Sequence, residues 1–361
     1  MRVIFTVTND LNYDQRMIRI SNSLVKEGYQ VKLIGRKFSN SVSLQKKDYE
    51  QKRLFLFFKK GLGFYFEYNL KLFFYLLFQK SDVLCCIDLD TIIPVFYAAV
   101  LKRKIKVYDA HEYFSQQKEI MTRPNIYRFW HFIEKIFLPK FKNGYTVSET
   151  IAKEFSKEYK VNYQVIRNFP LLRNLPVLGS RQNIIIYQGS VNEARGFEFL
   201  IPAMEKVNGI LWIYGDGNFL QKAKSLVKEK KLEEKILFKG KLLPGDLAVA
   251  TQQAMIGINL VEPIGKNQLM SLANKFFDYM HFGIPQVTMD FPEYKRVNDQ
   301  FEIALLIHHL TIDEISTSLN LLLENKEVYF RLQQNCLEAR KVFNWQNEEK
   351  KLIEFYKQLK F

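Results

Sequence analysis

Residues 184–217 read IIIYQGSVNEARGFEFLIPAMEKVNGILWIYGDG, and this stretch decides the fold class. A short apolar run, 184–187, is followed by a polar loop with two glycines and then by an amphipathic segment, 197–207. A second apolar run, 210–214, comes next and ends at Gly-Asp-Gly. Buried strands that alternate with helices are typical of a parallel sheet covered on both faces. The stretch therefore predicts a strand–helix–strand unit of a doubly wound α/β domain.

The same alternation of strand and helix patterns continues along both halves of the chain. The further predicted strands are 3–7, 31–34, 83–87, 105–108, 144–147, 236–238, 255–258 and 285–288. The predicted helices are 14–27, 64–78, 91–101, 125–141, 149–159, 218–230, 247–252, 272–282, 312–323, 326–342 and 344–359. The alternation stops once, in an irregular segment at 168–182 whose prolines and glycine are typical of a linker. We expect two doubly wound domains, residues 1–167 and 168–343, with ligands at the carboxyl ends of their strands.

The composition of the 361 residues is that of an ordinary folded protein, with 47% hydrophobic and 25% charged residues. It excludes disordered, collagen-like and disulfide-scaffold classes. The three cysteines, Cys85, Cys86 and Cys336, follow no metal-binding or pairing pattern, so we expect no metal, no disulfide and a cytoplasmic location. The longest apolar stretch, 70–78, is interrupted by Lys71 and is far shorter than the ~20 residues of a membrane span. The sequence therefore predicts a soluble or peripheral protein.

The excess of positive charge lies almost entirely in the first half of the chain. The net charge is +15, of which +13 belongs to residues 1–167. The same half holds 31 of the 53 aromatic residues, and eleven of these lie between Phe55 and Phe78. Lysines among aromatic rings suit a lipid–water interface. We expect an anionic partner, a membrane surface or a nucleic acid, with general solubility charge as the alternative; no nucleic-acid-binding motif is present.

Polar residues follow two predicted strands of the first half. Asn9 and Asp10 come directly after the first strand, and Arg16 stands at the start of the next helix as a candidate anion ligand. The alternative is an ordinary capping loop in which Asp14 is the N-cap. A later loop reads Asp-Ala-His-Glu at 109–112. Histidine is the commonest proton-transfer residue, so this loop predicts a substrate-handling site, and a purely structural histidine remains an equal alternative.

Two loops and one helix of the second half carry further candidates. They are Gly189, Ser190, Arg195, Gly196, Gly215, Lys275 and Asp278. The glycines allow a ligand to approach the backbone, and Arg195 precedes a predicted helix where it can pair with phosphate. Asp278 can accept hydrogen bonds from ribose hydroxyls. The alternatives are an ordinary turn at Gly215 and a solvated ion pair between Lys275 and Asp278.

Taken in order, these segments resemble the retaining glycosyltransferase family 4. The resemblance rests on LNYDQRMIRISNSLVKEGYQVKLIG, CIDLDTIIPVFYAA with KVYDAHEYF, GYTVSETIAKEF with YQVIRNFP, IIYQGSVNEARGFEFLI, LWIYGDG, ILFKG and NKFFDYMHFGIPQV. Together they extend over essentially the whole chain. The resemblance implies the GT-B fold, in which two Rossmann-like domains face each other across a cleft. It also implies that the last helix, 344–361, crosses back to the first domain.

The resemblance further implies transfer of a sugar from a UDP- or GDP-linked donor, with retention at the anomeric carbon and without a metal or a bound cofactor. His111 corresponds to the active-site histidine beside the donor sugar, and Arg195 to the cation that neutralises the diphosphate. Asp278 corresponds to the second acid of the Glu-x7-Glu motif that holds the ribose, and Lys275 is expected to assist Arg195. The expected remaining donor ligands are Gly189, Ser190, Gly196 and Gly215, and the expected substrate ligands are Asn9, Asp10, Arg16, Asp109 and Glu112.

Three positions depart from the family pattern. Ser190 stands where many members have an arginine, Met270 stands at the first acid of Glu-x7-Glu, and Thr8-Asn9-Asp10 replaces a glycine-rich loop. Other open readings are a non-catalytic member, and a nucleotide-sugar epimerase or a phosphorylase on the same fold.

The basic half is the half that binds the acceptor in the family. We therefore expect a lipid-linked saccharide acceptor at the inner face of the cytoplasmic membrane, in bacterial surface polysaccharide synthesis. The candidate membrane contacts are 55–78 and 125–142.

Overall fold

A computed structural model describes residues 1–39, 41–174, 181–270 and 272–359 of the chain. The chain divides into two compact units. The first contains Met1–Asn168, Gly265–Asn267 and Asn347–Phe361, and the second contains Phe169–Ile264 and Gln268–Gln346. Within the expected linker at 168–182, residues 175–180 lie outside the described ranges.

The first unit is built on a seven-stranded parallel sheet in the order β3-β2-β1-β4-β5-β6-β7. Its strands are β1 Arg2–Thr6, β2 Gln30–Arg36, β3 Glu50–Leu54, β4 Val83–Ile87, β5 Ile105–Ala110, β6 Asn143–Thr146 and β7 Gln164–Val165. Every residue of β4 is buried, as expected for a strand that helices cover on both faces. The strand order reverses at β1, so the loops that follow β1 and β4 diverge at the position where doubly wound sheets bind ligands.

The helices of the first unit connect these strands. They are α1 Gln15–Lys26, α2 Gly61–Phe78, α3 Ile92–Lys102, α4 Lys118–Met121, α5 Pro124–Phe137 and α6 Glu149–Tyr159. Asp14 accepts a hydrogen bond from the Met17 N–H and so caps α1, as the sequence predicted. None of the helices in the described ranges is long and apolar enough to cross a membrane.

The second unit has a six-stranded parallel sheet in the order β10-β9-β8-β11-β12-β13. Its strands are β8 Ile184–Gln188, β9 Ile210–Tyr214, β10 Ile236–Gly240, β11 Ile256–Asn259, β12 Gln286–Met289 and β13 Ala304–Ile307. The helices of this unit are α7 Phe197–Ala203, α8 Leu220–Glu229, α9 Pro244–Gln253, α11 Asn274–His281, α12 Pro292–Phe301, α13 Ile312–Glu324 and α14 Lys326–Val342. Two further helices, α10 Gly265–Met270 and α15 Trp345–Gln358, are divided between the two units, and most of α15 belongs to the first. Here the order reverses at β8, which places the loop after β8 at the ligand-binding position.

Several elements differ from the sequence prediction. The helix predicted at 125–141 ends at Phe137 and continues as a 3-10 turn, Leu138–Lys140, because Pro139 has no N–H and disfavours helical geometry in the residue before it. The sequence predicted no strand at β3, β7 or β13 and no helix at α4, α10 or α12. The strand β3, for example, reads EQKRL at the sheet edge and has no apolar run to reveal it.

Candidate functional site

In the first unit, the predicted site residues gather at the carboxyl ends of β1, β4 and β5. His111 follows β5 directly, and its Nε2 lies 3.1 Å from Asp109 Oδ2. Arg16, in the first turn of α1, donates from Nη2 to Asp109 Oδ1 at 2.9 Å and from Nη1 to the carbonyl of Ile166 at 3.0 Å. Asp109 is completely buried between the side chains of Arg16 and His111. The arrangement fixes the orientation of the His111 ring.

The charges in this chain of contacts shift the pKa values of its members. Burial alone would raise the pKa of Asp109, but Arg16 and His111 together hold it below its ordinary value. Burial would lower the pKa of His111, and the Asp109 carboxylate outweighs it and raises that pKa above 6.5. Because a carboxylate oxygen accepts hydrogen bonds, the contact with Asp109 favours a proton on Nε2 and leaves Nδ1 as the second polar atom of the ring.

Arg16 and Asp109 are bound to each other. The Arg16 guanidinium is buried and donates to Asp109 and to the Ile166 carbonyl. Asp109 also contacts His111. The expected roles of Arg16 and Asp109 as substrate ligands stay predictions.

The other predicted ligands of the first unit lie in loops that are hydrogen-bonded internally. Asp10 forms an ion pair with Arg53 and also accepts hydrogen bonds from Ser41 and from the Asn12 N–H. Asn9 donates to Asp14 at 3.1 Å. Glu112 accepts hydrogen bonds from Gln117 at 2.8 Å and from Asn267 at 3.0 Å. Asn9, Asp10 and Glu112 all lie near the carboxyl ends of the strands, as the sequence predicted. Each already uses part of its hydrogen-bonding capacity within the protein.

Asp88 is a site residue that the sequence reasoning missed. It follows β4 with φ of 52°, a conformation that costs a non-glycine residue energy, and its Oδ1 accepts the N–H of His111 at 2.9 Å and of Glu112 at 3.3 Å. Burial, with the nearby acids Glu112 and Asp90, raises its pKa well above the ordinary value although His111 opposes this. Its position after a buried strand was the same signal that identified His111.

In the second unit, three predicted glycines shape the loop after β8. Gly189 has φ of 122° and Gly215 has φ of 147°. A Cβ on Gly215 would lie 1.8 Å from the Gly189 carbonyl oxygen, so the two loops pack backbone against backbone. Gly196 also has a positive φ, and a Cβ there would lie 2.9 Å from Leu260. Glycine is required by both conformation and space at Gly196 and Gly215, and by conformation at Gly189.

Two cations converge on this loop. Lys275, at the start of α11, has its Nζ 3.6 Å from the centre of the Tyr187 ring. A Cβ on Gly189 would also lie 3.6 Å from that Nζ, so the ammonium group lies over the loop backbone. Burial, followed by the positive charge of Arg195, holds the pKa of Lys275 well below its ordinary range. Within the described ranges no carboxylate forms an ion pair with Lys275 or Arg195, and the pair Lys275–Asp278 considered above is not formed.

Asp278 lies one turn further along α11 and is held by Gln188. The Gln188 side chain donates to Asp278 Oδ2 at 2.8 Å and accepts from Thr251 at 2.6 Å. The backbone N–H of Gln188 donates to the Tyr279 hydroxyl at 3.2 Å. Gln188 is buried and positions Asp278, a role that the sequence reasoning missed because glutamine at a strand end carries no specific pattern.

Ser190 and Met270, which depart from the family pattern, lie in the loop after β8 and at the end of α10. The Ser190 carbonyl accepts a hydrogen bond from the Tyr187 hydroxyl at 2.6 Å, and Met270 is the last residue of α10. Glu262, which lies at the wrong spacing for the family motif, donates its N–H to the Ala194 carbonyl at 3.0 Å. Glu262 is thus adjacent to the residue that precedes Arg195. Among the described residues no group of three His, Cys, Asp or Glu side chains is arranged to hold a metal ion.

Comparison with known proteins shows the fold and gives a family match for part of the chain. Residues 171–341 match the family described as glycosyl transferases group 1. No curated protein sequence matches the chain. Among solved structures, HepE from Anabaena in complex with UDP and glucose superposes with a TM-score of 0.77 at 14% identity, over 99% of this chain and 100% of that one.

Two further solved structures have similar TM-scores, sequence identities and coverages. Sucrose-phosphate synthase from Thermosynechococcus elongatus has a TM-score of 0.77 at 16% identity, over 99% of this chain and 98% of that chain. WaaG, a glycosyltransferase involved in lipopolysaccharide biosynthesis, has a TM-score of 0.76 at 14% identity, over 97% and 98%. At these identities the likeness concerns the fold. The chain has the GT-B fold, and its residues 171–341 match the model of the glycosyl transferases group 1 family.

Proposed function

We propose that this chain is a retaining glycosyltransferase that moves a sugar from a nucleotide sugar to a saccharide acceptor. The observation that carries the proposal is the convergence of Lys275 and Arg195 on the glycine loop after β8. Two cations in a partly desolvated position, without a carboxylate counter-ion in the described residues, favour a ligand with two adjacent negative charges. A diphosphate carries such charges. The match of residues 171–341 to a glycosyl transferase family supports the same donor class.

The donor would bind to the second unit through three contacts. Lys275 and Arg195 would hold the diphosphate, and the backbone around Gly189 would approach it closely because no side chain intervenes. Asp278, oriented by Gln188, would accept hydrogen bonds from the ribose hydroxyls. None of these contacts involves the base, so we propose UDP- and GDP-sugars alike as donors.

The chemistry requires stabilisation of a leaving group. As the bond between the anomeric carbon and the phosphate oxygen breaks, its electron pair stays on the phosphate, where Lys275 and Arg195 stabilise the charge. The acceptor hydroxyl forms the new bond on the same face of the sugar and gives its proton to the leaving phosphate. His111, held by Asp109, would position the donor sugar. Because the two side chains supply the positive charge, we propose that the reaction needs neither a metal nor a cofactor.

The acceptor would be a lipid-linked saccharide. The net +13 of residues 1–167 favours an anionic membrane surface as the place where the first unit meets it. We accordingly propose a cytoplasmic protein that is peripheral at the inner face of the cytoplasmic membrane and acts in bacterial surface polysaccharide synthesis.

A screen with nucleotide sugars tests the donor assignment. UDP-, GDP-, ADP- and CMP-sugars are each added in a thermal-shift measurement, and a true donor should raise the melting temperature by mass action. The donor that binds is then incubated with and without a saccharide acceptor, and the anomeric configuration of the product is read by NMR. Transfer with retention, unaffected by EDTA, is expected.

Three results would contradict the proposal. They are the absence of any thermal shift, epimerisation of the donor without an acceptor, and an inverted product. A gel shift with nucleic acid that survives moderate salt would favour a nucleic-acid-binding protein instead.

A further inference from the structure

A row of three hydrogen-bonded side chains crosses the second unit from α9 to α11. The Thr251 hydroxyl donates to Gln188 Oε1 at 2.6 Å, and Gln188 Nε2 donates to Asp278 Oδ2 at 2.8 Å. Thr251 and Gln188 are buried, whereas Asp278 is half-buried. The row therefore connects a buried hydroxyl, through an amide, to a carboxylate that solvent reaches.

The amide of Gln188 is the member of the row whose orientation depends on its partners. Its two ends have nearly the same shape, but one end donates hydrogen bonds and the other accepts them. An ionised carboxylate accepts hydrogen bonds and donates none. If the amide were turned over, its carbonyl oxygen would face a carboxylate oxygen of Asp278 with no proton between them. Ionised Asp278 thus selects the NH2 end, and its negative charge strengthens the bond.

Thr251 selects the same orientation of the amide from the opposite side. Its hydroxyl also lies 2.7 Å from the carbonyl oxygen of Leu247, one turn earlier in α9. A hydroxyl has one proton and can donate it to only one of the two oxygens. Donation to Gln188 Oε1 leaves the amide NH2 for Asp278, whereas donation to Leu247 would favour the turned-over amide, which donates to Thr251. The two ends of the row are therefore coupled through Gln188.

The backbone that carries this amide is fixed by other contacts. The Gln188 N–H donates to the Tyr279 hydroxyl at 3.2 Å, and that hydroxyl donates to the Ile186 carbonyl at 3.0 Å. Neither contact involves Thr251. A change at Thr251 should therefore act on the Gln188 side chain and on Asp278, and it should leave the loop after β8 in place.

From these contacts we infer that Thr251 is a positioning residue for the donor ribose, and this inference rests on the proposed function. The Thr251 hydroxyl orients the Gln188 amide, the amide holds Asp278 Oδ2, and Asp278 accepts hydrogen bonds from the ribose hydroxyls. A fixed acceptor rejects a ligand that lacks the hydroxyl, because the acceptor is then left unpaired. Thr251 thus determines how strongly the site prefers ribose over deoxyribose.

A purely structural role of Thr251 leads to a different expectation. Threonine hydroxyls in helices often bond to the carbonyl one turn earlier, and Thr122 of the first unit forms such a bond with Lys118 at 2.9 Å. If Thr251 served only α9, its replacement would change stability and would weaken the binding of every nucleotide to the same degree. The discrimination between ribose and deoxyribose therefore separates the two roles.

Titration calorimetry with ribonucleotides and deoxyribonucleotides tests the inference. The probes are UDP and GDP, of which the tighter-binding one is used together with its 2′-deoxy and 3′-deoxy forms. We expect the wild type to bind at least one deoxy form about tenfold or more weakly, since a hydrogen bond to a charged group is lost. Thr251→Val keeps the shape of the side chain without its hydroxyl, and it should reduce this ratio to about threefold or less.

Further variants locate the effect in the hydroxyl and in Gln188. Thr251→Ser keeps the hydroxyl and should retain the discrimination, and Thr122→Val, which removes the matched helix bond of the first unit, should not change it. Gln188→Met should lower the discrimination, and adding Thr251→Val to it should cause no further loss, because Thr251 acts through Gln188. Thr251→Ala, which favours the helix, takes the place of Thr251→Val if that variant does not fold.

Four results would overturn the inference while nucleotide binding stands. They are a wild type that binds ribo and deoxy forms equally, wild-type discrimination in Thr251→Val, an equal loss of affinity for both forms in that variant, and a Thr251→Ser protein that behaves like Thr251→Val. The last result would show that the methyl group matters and the hydroxyl does not. Failure of the wild type to bind either UDP or GDP would instead overturn the donor assignment of the proposed function, and the inference with it.

Discussion

At the scale of single residues, a bound diphosphate should reverse the lowering of the Lys275 pKa. Burial and Arg195 hold its pKa well below the ordinary range in the free protein. An adjacent diphosphate would raise that pKa again. In the pH interval between the two values, donor binding should therefore take up a proton, and donor affinity should fall as the pH rises.

Calorimetry in buffers of different ionisation enthalpy measures this proton uptake. The ligand should be a nucleotide sugar, because its diphosphate does not titrate near neutral pH. The observed enthalpy should vary with the buffer in the wild type and not in Lys275→Met. An enthalpy that is the same in every buffer for the wild type would show that Lys275 does not titrate on binding.

Arg16 should be needed for stability, since it is the buried partner of Asp109. Arg16→Met leaves that carboxylate buried without its main counter-charge, which typically costs about 3–5 kcal/mol. Arg128→Met removes an exposed arginine of the same unit and should change the free energy of unfolding by less than about 0.5 kcal/mol. Urea denaturation gives both values, and equal losses would contradict the structural role of Arg16.

The sequence predicted where the site residues lie better than what they do. The rule that ligands bind at the carboxyl ends of strands selected His111 and the loop 188–196 correctly by position. It also selected Arg16, whose role depends on contact with Asp109, a residue 93 positions away. Pairings between distant segments are set by tertiary packing, and no local pattern shows them.

At the scale of elements, the loops after β8 and β9 depend on glycine. A methyl group at Gly215 would clash with the Gly189 carbonyl and would occupy a backbone conformation unfavourable for alanine. We expect Gly215→Ala to cost on the order of 1–3 kcal/mol or more and to weaken donor binding. Gly245→Ala, in α9, meets open space and should be neutral or stabilising.

Thermal melting and nucleotide-sugar binding of the two alanine variants provide the check. A Gly215→Ala protein with wild-type melting and affinity would show that the close packing of these loops is not required.

Apolar periodicity predicted the buried elements and missed the exposed ones. The central strands β1, β4, β8 and β11 are runs of apolar residues and were predicted to within about two residues. The edge strand β3 and the helix α12 are mostly polar, so hydrophobicity carries little information about them. In α2 apolar residues occur on every side of the helix, so the sequence does not show which face is buried and which is exposed.

At the scale of the whole molecule, the concentration of charge in residues 1–167 predicts where the protein meets a membrane. Vesicles rich in an anionic lipid should co-sediment the protein, and neutral vesicles should recover much less. Raising the salt concentration should weaken the binding to anionic vesicles. Equal recovery with both kinds of vesicle would remove the electrostatic argument.

The division of charge was visible in the sequence, but its combination with an apolar groove between α2, α3 and α5 was not. The candidate segments 55–78 and 125–142 include α2 and α5, two of the three helices that line the groove. The third, α3, is apolar in sequence and was not among the candidate segments. Its contribution of Tyr97 and Leu101 to an exposed surface depends on how the three helices pack.

The central claim is that Lys275 and Arg195 hold the diphosphate of a nucleotide sugar. The most direct measurement is the dissociation constant of the donor identified by thermal shift, for the wild type and for Lys275→Met, Arg195→Met and the exposed control Lys224→Met. We predict a loss of about tenfold or more for each of the first two variants, since a hydrogen bond to a charged group contributes about 1.5–3 kcal/mol. Lys224→Met should match the wild type. Wild-type affinity in both Lys275→Met and Arg195→Met would contradict the account.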